Sequence, residues 1–219
     1  MSPGEAAVSF LVAIIAATAC RAGELTVSVI DPSGHGVTDV VVVVAPAESA
    51  PPHATPASPV AIMDQRDRAF SPRVLIVRVG TSVEFPNNDT VSHQVYSFSQ
   101  AKKFQLPLYK GKSHPPVTFD RAGLVVLGCN IHDQMVGYIY VTDAPFFGKT
   151  DPAGTLRVPG LSAGDYRISV WSPFIADQAS SLTRTVRVDA QAPAASRVQL
   201  VDALRARPEP RPPRADWEY

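Results

Sequence analysis

The chain of 219 residues carries 20 Lys+Arg against 20 Asp+Glu, so it has no net charge, and only 18% of it is charged. That balance, with no basic run before the extreme C-terminus, argues against a nucleic-acid binder, and 45% apolar residues exclude a disordered chain. The 21 prolines, about twice the usual share, disfavour long helical bundles, and two cysteines, Cys20 and Cys129, are too few for a disulfide scaffold.

In chain order, the run from Ala6 to Ala19 is apolar or small throughout. It is short of the roughly 20 residues a membrane helix needs. It reads as the apolar stretch of a secretory signal over residues 1–22, with cleavage expected after Ala19 or Ala22. The other reading is a buried element of the folded domain, because no Lys or Arg precedes the run. Ala17-Thr18-Ala19-Cys20 has some likeness to a lipoprotein cleavage box, which makes a lipid anchor at Cys20 a further expectation. Export to the periplasm is the expected localisation, with no transmembrane span once the signal is removed. It would leave Cys129 as the one free thiol, and a lone thiol in an oxidising compartment is a liability unless buried or held by a metal.

Leu25 to Val29 alternates with period two, Asp31-Pro32-Ser33-Gly34 is a turn, and Val37 to Val44 reads as a second, more apolar strand. Residues 49–59 form a Pro-rich linker. Strands are expected at Arg73–Val79, Ser82–Phe85, His93–Phe98, Val117–Phe119, Leu124–Leu127 and Gly137–Val141. Lys102–Pro116 reads as irregular and polar, and Asp143–Pro152 as linker-like. Gly154–Val158, Gly164–Trp171 and Thr183–Val188 complete the strands, Pro159-Gly160 reads as a turn, and residues 203–219 form a Pro- and Arg-rich disordered tail. No amphipathic helix stands out. Many short, evenly spaced strands give an all-β fold of sandwich type.

The stretch Cys129-Asn130-Ile131-His132-Asp133-Gln134-Met135 holds a thiol, an imidazole and a thioether between two expected strands. Each alone has an ordinary reading: Cys129 as a small buried hydrophobe, Met135 as core filling. Together they form a soft donor set that favours copper or zinc over magnesium or calcium. Two His and one Cys with a weak axial Met is the blue-copper set. His93, after an Asn-rich loop at the start of a strand, is the candidate for the second imidazole. Structural zinc, the competitor, usually draws four ligands from paired Cys or His clusters, and none is present. His35, His53 and His114 lie in turns or Pro-rich stretches and read as solvated loop residues.

Phe70-Ser71-Pro72, Val79-Gly80-Thr81, Val83-Glu84-Phe85, Asn88-Asp89 before His93, Gly123, and Cys129-x2-His132-x2-Met135 together resemble the cupredoxins of the plastocyanin and amicyanin group. The short Cys-to-Met spacing is similar to that of amicyanin. The run Gly128–Asp133 also resembles periplasmic proteins labelled methylamine utilisation proteins, in which a cupredoxin module joins a carboxypeptidase-regulatory-like β module. The resemblance implies a Greek-key cupredoxin sandwich over 60–142, binding one type 1 copper through His93, Cys129, His132 and Met135. It further implies a small Ig-like or transthyretin-like β-sandwich split between 23–48 and 143–202, with the cupredoxin inserted in it or joined to it. Asn88 is expected to brace the ligand loop, and the exposed edge of His132 to pass electrons to a redox partner protein. Ile131 stands where the group often has Pro, and Gln134 where it often has a bulky aromatic. The implied role is one-electron transfer without catalysis. The alternatives are copper trafficking or sensing through the same four residues, and a β-sandwich binding module without metal.

Overall fold

A computed structural model describes residues 23–48, 60–111, 114–175, 182–189 and 193–199. The expected leader with Cys20, the Pro-rich linker 49–59, His53 and the expected tail 203–219 lie outside the described residues. The fold is all-β, with no α-helix among the described residues.

One group of strands is built from the two ends of the chain. In β1 (Gly23–Ile30), Leu25, Val27 and Val29 are fully buried on one face, as period-two alternation demands. β1 runs antiparallel to β14 (Thr155–Leu161), with Leu25 opposite Val158, and parallel to β17 (Ala194–Gln199). The facing sheet places β2 (Val41–Pro46) between β13 (Phe146–Lys149) and β15 (Gly164–Trp171), with β16 (Thr183–Val188) at its edge. The two sheets share a core that includes Leu25, Val27, Val42, Val44, Ile168 and Val170.

Two loops of the same form close this group. Asp31 accepts the Ser33 and His35 N–H groups on its carboxylate, and Asp151 does the same for Ala153 and Thr155. The loops touch: the Val29 N–H donates to the Gly154 carbonyl at 2.8 Å, and a Cβ on Gly36 would lie 2.0 Å from the Ala153 oxygen. Only glycine permits that approach.

The intervening residues form the second group. Its sheets are β3 (Ala61–Ile62), β7 (Thr81–Glu84) and β10 (Val117–Phe119), and β6 (Val74–Arg78), β12 (Gly137–Thr142) and β11 (Gly123–Leu127). Two hairpins complete it: β4 (Asp64–Arg66) with β5 (Ala69–Ser71), and β8 (Tyr96–Ser99) with β9 (Lys102–Gln105). Its separate core holds Met63, Phe85, Phe119 and Leu127 together with Cys129 and Met135.

The groups meet along one seam. The Trp171 ring lies 5.6 Å from that of Tyr138 and 5.7 Å from that of Tyr140, and the Arg78 guanidinium sits 4.9 Å over Phe147. Lys149 donates to the Val74 carbonyl at 3.2 Å.

Several segments differ from expectation. Asp143–Pro152 is not a linker, since it contains β13. Lys102–Pro116 contains β9, and β3–β5 and β17 were not foreseen. The strand expected from Val37 begins only at Val41, because Asp39 takes φ +60° and breaks the extended run. Pro159-Gly160 is no chain reversal: β14 runs through it, with a register shift at Gly23/Glu24.

Candidate metal centre

His93 sits just before β8. Its backbone makes a two-way bridge with Tyr109, N–H to carbonyl at 3.0 Å in each direction, and the residue is fully buried. Cys129 follows the end of β11. Its position is set by Gly128, which pairs with Tyr96 through bonds of 3.0 and 3.1 Å. A Cβ on Gly128 would lie 2.7 Å from the outer end of the Tyr96 side chain, so a larger residue there would displace that ring. A tight turn then carries the chain from His132 to Met135, whose N–H donates to the His132 carbonyl at 2.8 Å.

Those constraints bring His93, Cys129 and His132 together: one ligand atom from each lies within 4.8 Å of the others. Cys129 Sγ is 3.9 Å from His93 Nδ1, and the two imidazole rings are 5.0 Å apart, inclined at 62°. Ligands about 2.0–2.3 Å from one ion lie roughly 3.5–4 Å apart at trigonal or tetrahedral angles, so the cluster needs only a modest contraction to hold one. Met135 is 1% exposed and belongs to the same core cluster as Cys129, which is 3% exposed.

One atom is out of place in a site meant only for packing. His132 Nδ1 is buried and has no hydrogen-bond partner. A buried polar atom without a partner costs about 1–3 kcal/mol, and a metal ion is the partner that a soft S,N,N cluster calls for. The donors therefore fit a copper ion.

The charges reinforce one another. Burial works against the Cys129 thiolate, yet His93 and the Gln94 and Ile131 backbone N–H groups hold the thiol below its usual range. Burial likewise disfavours charge on His93, but Cys129 and Asp89 beside it hold its pKa above the usual value. His132 is pushed down by burial and by the positive charges of His93 and Arg68. A thiol held toward thiolate is the form that binds metal.

Around the cluster lies a set of buried polar residues that the sequence did not disclose. Asp89 Oδ2 lies 2.8 Å from His93 Nε2. Burial opposes the Asp89 charge, but the Arg68 and Thr90 N–H groups and His93 hold its pKa at about 2. Asn87, 2% exposed, donates to the Val91 carbonyl at 3.0 Å and the Tyr109 carbonyl at 2.8 Å, and accepts the Asp89 N–H at 3.0 Å. Gln65, fully buried, donates to the Tyr109 hydroxyl at 2.6 Å, and the Tyr109 hydroxyl donates to the Phe85 carbonyl. The expected brace, Asn88, points elsewhere, donating to both Asp64 oxygens at 3.0 Å. Asn87, one residue earlier, ties the segment that carries His93 to Tyr109. His114 is not a free loop residue, since its ring stands edge-on to Tyr109 at 5.0 Å, whereas the His35 side chain is 82% exposed.

No protein-family model and no curated protein matches the sequence. Among solved structures, the chain is similar to a variant of amicyanin in its reduced Cu(I) form at pH 4, with 24% identity over 46% of this chain and 98% of that one (TM-score 0.36). It is also similar to a purple cupredoxin from Nitrosopumilus maritimus, with 24% identity over 39% of this chain and all of that one (TM-score 0.34). A third likeness is to the copper-containing nitrite reductase of Thermus scotoductus SA-01, with 27% identity over 44% of this chain and 25% of that one (TM-score 0.35). Each likeness spans less than half of this chain, and the metal reading stands on the chain's own side chains.

Proposed function

We propose that the chain is an exported type 1 copper protein that passes single electrons. The observation that carries this reading is the convergence of His93, which precedes Cys129 by 36 residues, with Cys129 and His132, the last presenting a buried, unpartnered Nδ1. In this reading His93, Cys129 and His132 bind copper and Met135 lends its thioether as the weak fourth ligand. Bound copper supplies a one-electron couple.

The chain's own part is to hold one geometry for both oxidation states. Asn87 ties the first ligand region to the segment at Tyr109, and the Gly128–Tyr96 bridge fixes the thiol. Burial of His93 and Cys129 keeps water from the ligands, while half-buried His132 is the side on which a partner protein docks. The seam at Trp171 supports a division in which residues 60–142 are the copper unit. Residues 23–48 with 143–202 then form the β-sandwich that carries it. The Ala6–Ala19 run supports export, and periplasmic localisation follows from it.

Titration of the purified protein with copper(II), followed by visible absorption, tests the function. A strong thiolate-to-copper band that bleaches on one-electron reduction and returns on oxidation is expected. Colourless copper(I) binding with rapid exchange would instead make the chain a copper carrier, and no copper uptake would leave a binding module.

A further inference from the structure

We infer that Asp89 is the positioning residue of the metal site: clamped by the tip of the β4–β5 hairpin, its buried carboxylate fixes the His93 ring with Nδ1 toward Cys129 and sets the charge balance of the site. This rests on the copper reading above.

The carboxylate is held on both oxygens. Oδ2 accepts from His93 Nε2–H at 2.8 Å and from the Arg68 N–H at 2.6 Å, while Oδ1 accepts from the Thr90 N–H at 2.6 Å. Its side chain is 6% exposed and that of His93 is fully buried. Arg68 and its neighbour Asp67 stand at φ +56° and +51°, where non-glycine residues rarely sit. That turn is what aims the Arg68 amide at Asp89. Positive φ at both central residues is the geometry of a two-residue hairpin turn, and here it is held by Asp67 and Arg68 without a glycine, with the Arg68 amide reaching a ligand's partner.

The consequence for His93 is a single tautomer. A carboxylate accepts and cannot donate, so Nε2 carries the proton and Nδ1 offers its lone pair to the side where Cys129 lies. A water or a backbone carbonyl could fix the tautomer equally well. The carboxylate alone adds a full negative charge one hydrogen bond from a ligand. With the Cys129 thiolate it offsets two positive charges, so the doubly charged copper state is favoured over the singly charged one. One electron is exchanged with an outside partner protein, and no bond to Asp89 forms or breaks in the exchange.

Asp89→Asn separates charge from position, because its amide oxygen can still accept from Nε2–H. In the copper-loaded protein, copper(II) affinity is expected to fall about tenfold relative to copper(I), a rise in reduction potential of about 59 mV for a one-electron couple. Asp89→Glu, which restores the charge, is expected to bring the potential back toward wild type. An Asp89→Asn protein that binds copper with an unchanged potential overturns the inference. A second measurement is independent of copper and of any variant. 15N NMR of the metal-free wild-type chain, at a pH where His93 is neutral, is expected to show the Nε2–H tautomer, and an Nδ1–H tautomer overturns the inference. If wild type takes up no copper, the copper reading fails, while the tautomer still reports on Asp89.

Discussion

The two strand groups bury different chemistry. The group built from the chain ends packs Val, Leu and Ile from two facing sheets, and its buried polar side chains, such as Thr150, serve the backbone: the Thr150 hydroxyl donates to the Val37 carbonyl at 2.6 Å and accepts the Val40 N–H at 3.0 Å. The group from the middle of the chain buries Asp64, Gln65, Asn87 and His93 with a free thiol and a thioether. Burying polar groups costs free energy unless each is paired; Asp64, Asn87 and His93 are hydrogen-bonded, whereas Gln65 Oε1 is buried without a partner. A core that only has to hold a fold has no need of them. Their concentration on one side of the seam sets the middle group apart as the one that holds the candidate metal cluster.

Substitutions on the two sides should therefore fail in different ways. The largest effect is expected from Cys129→Ser, which replaces a soft anionic donor by a hard neutral one. The visible band of the copper-loaded protein should vanish, while the melting temperature of the metal-free chain stays close to wild type. Retention of the band would remove the distinction between the two cores.

Ile168→Ala, in the middle of β15, should do the reverse. The residue is fully buried, and such truncations cost about 2–5 kcal/mol. Denaturant unfolding should register that loss, and the protein that remains folded should bind copper with an unaltered spectrum. A spectral change would mean that the groups communicate across Trp171.

Asn87→Ala should combine both effects at smaller size. It removes the Asn87 amide from the part-buried Val91 and Tyr109 carbonyls, the second of which keeps the His93 N–H, a loss of about 1 kcal/mol per bond, and it loosens the loop that carries Asp89 and His93. Broadened copper signals in electron paramagnetic resonance, beside lower stability, are the expected result. Asn88→Ala should spare the signals, because that side chain serves Asp64.

The smallest effect concerns acid. Burial pushes the Asp64 carboxyl up, but Asn88, Arg66 and the Gln65 N–H outweigh it and leave its pKa below the usual value. A carboxyl whose folded pKa is depressed stabilises the fold above its unfolded value, near 3.9, and the benefit disappears as pH falls through the folded value. Melting of the metal-free chain should therefore drop on acidification below about pH 4. The drop should be shallower in Asp64→Asn, and parallel curves would count against a role for this pair.

What the sequence disclosed follows the same division. Leu25, Val27 and Val29 announce β1 by alternation alone, and Cys129, His132 and Met135 announce a candidate ligand loop because their spacing is local. The hairpin β4–β5 stayed hidden. Its strands read Asp-Gln-Arg and Ala-Phe-Ser, without period-two apolar residues, and its turn is Asp67-Arg68 with no glycine or asparagine to signal positive φ. β13 reads Phe-Phe-Gly-Lys between prolines, and all four residues are half-buried, so no face declares itself. Asp89 and Asn87 could not be assigned because their partners, Arg68, His93 and Tyr109, come near only on folding. Asn87 and Asn88 are alike in sequence, and only their opposite orientations tell brace from neighbour.

X-ray absorption at the copper edge of the loaded wild-type protein bears most directly on the central claim, since it reads the ligand shell itself. The account predicts one short copper–sulfur bond and two imidazole nitrogens around a single copper per chain, with the sulfur lost in Cys129→Ser. A shell of oxygen and nitrogen alone, or a short sulfur that survives that substitution, would contradict it.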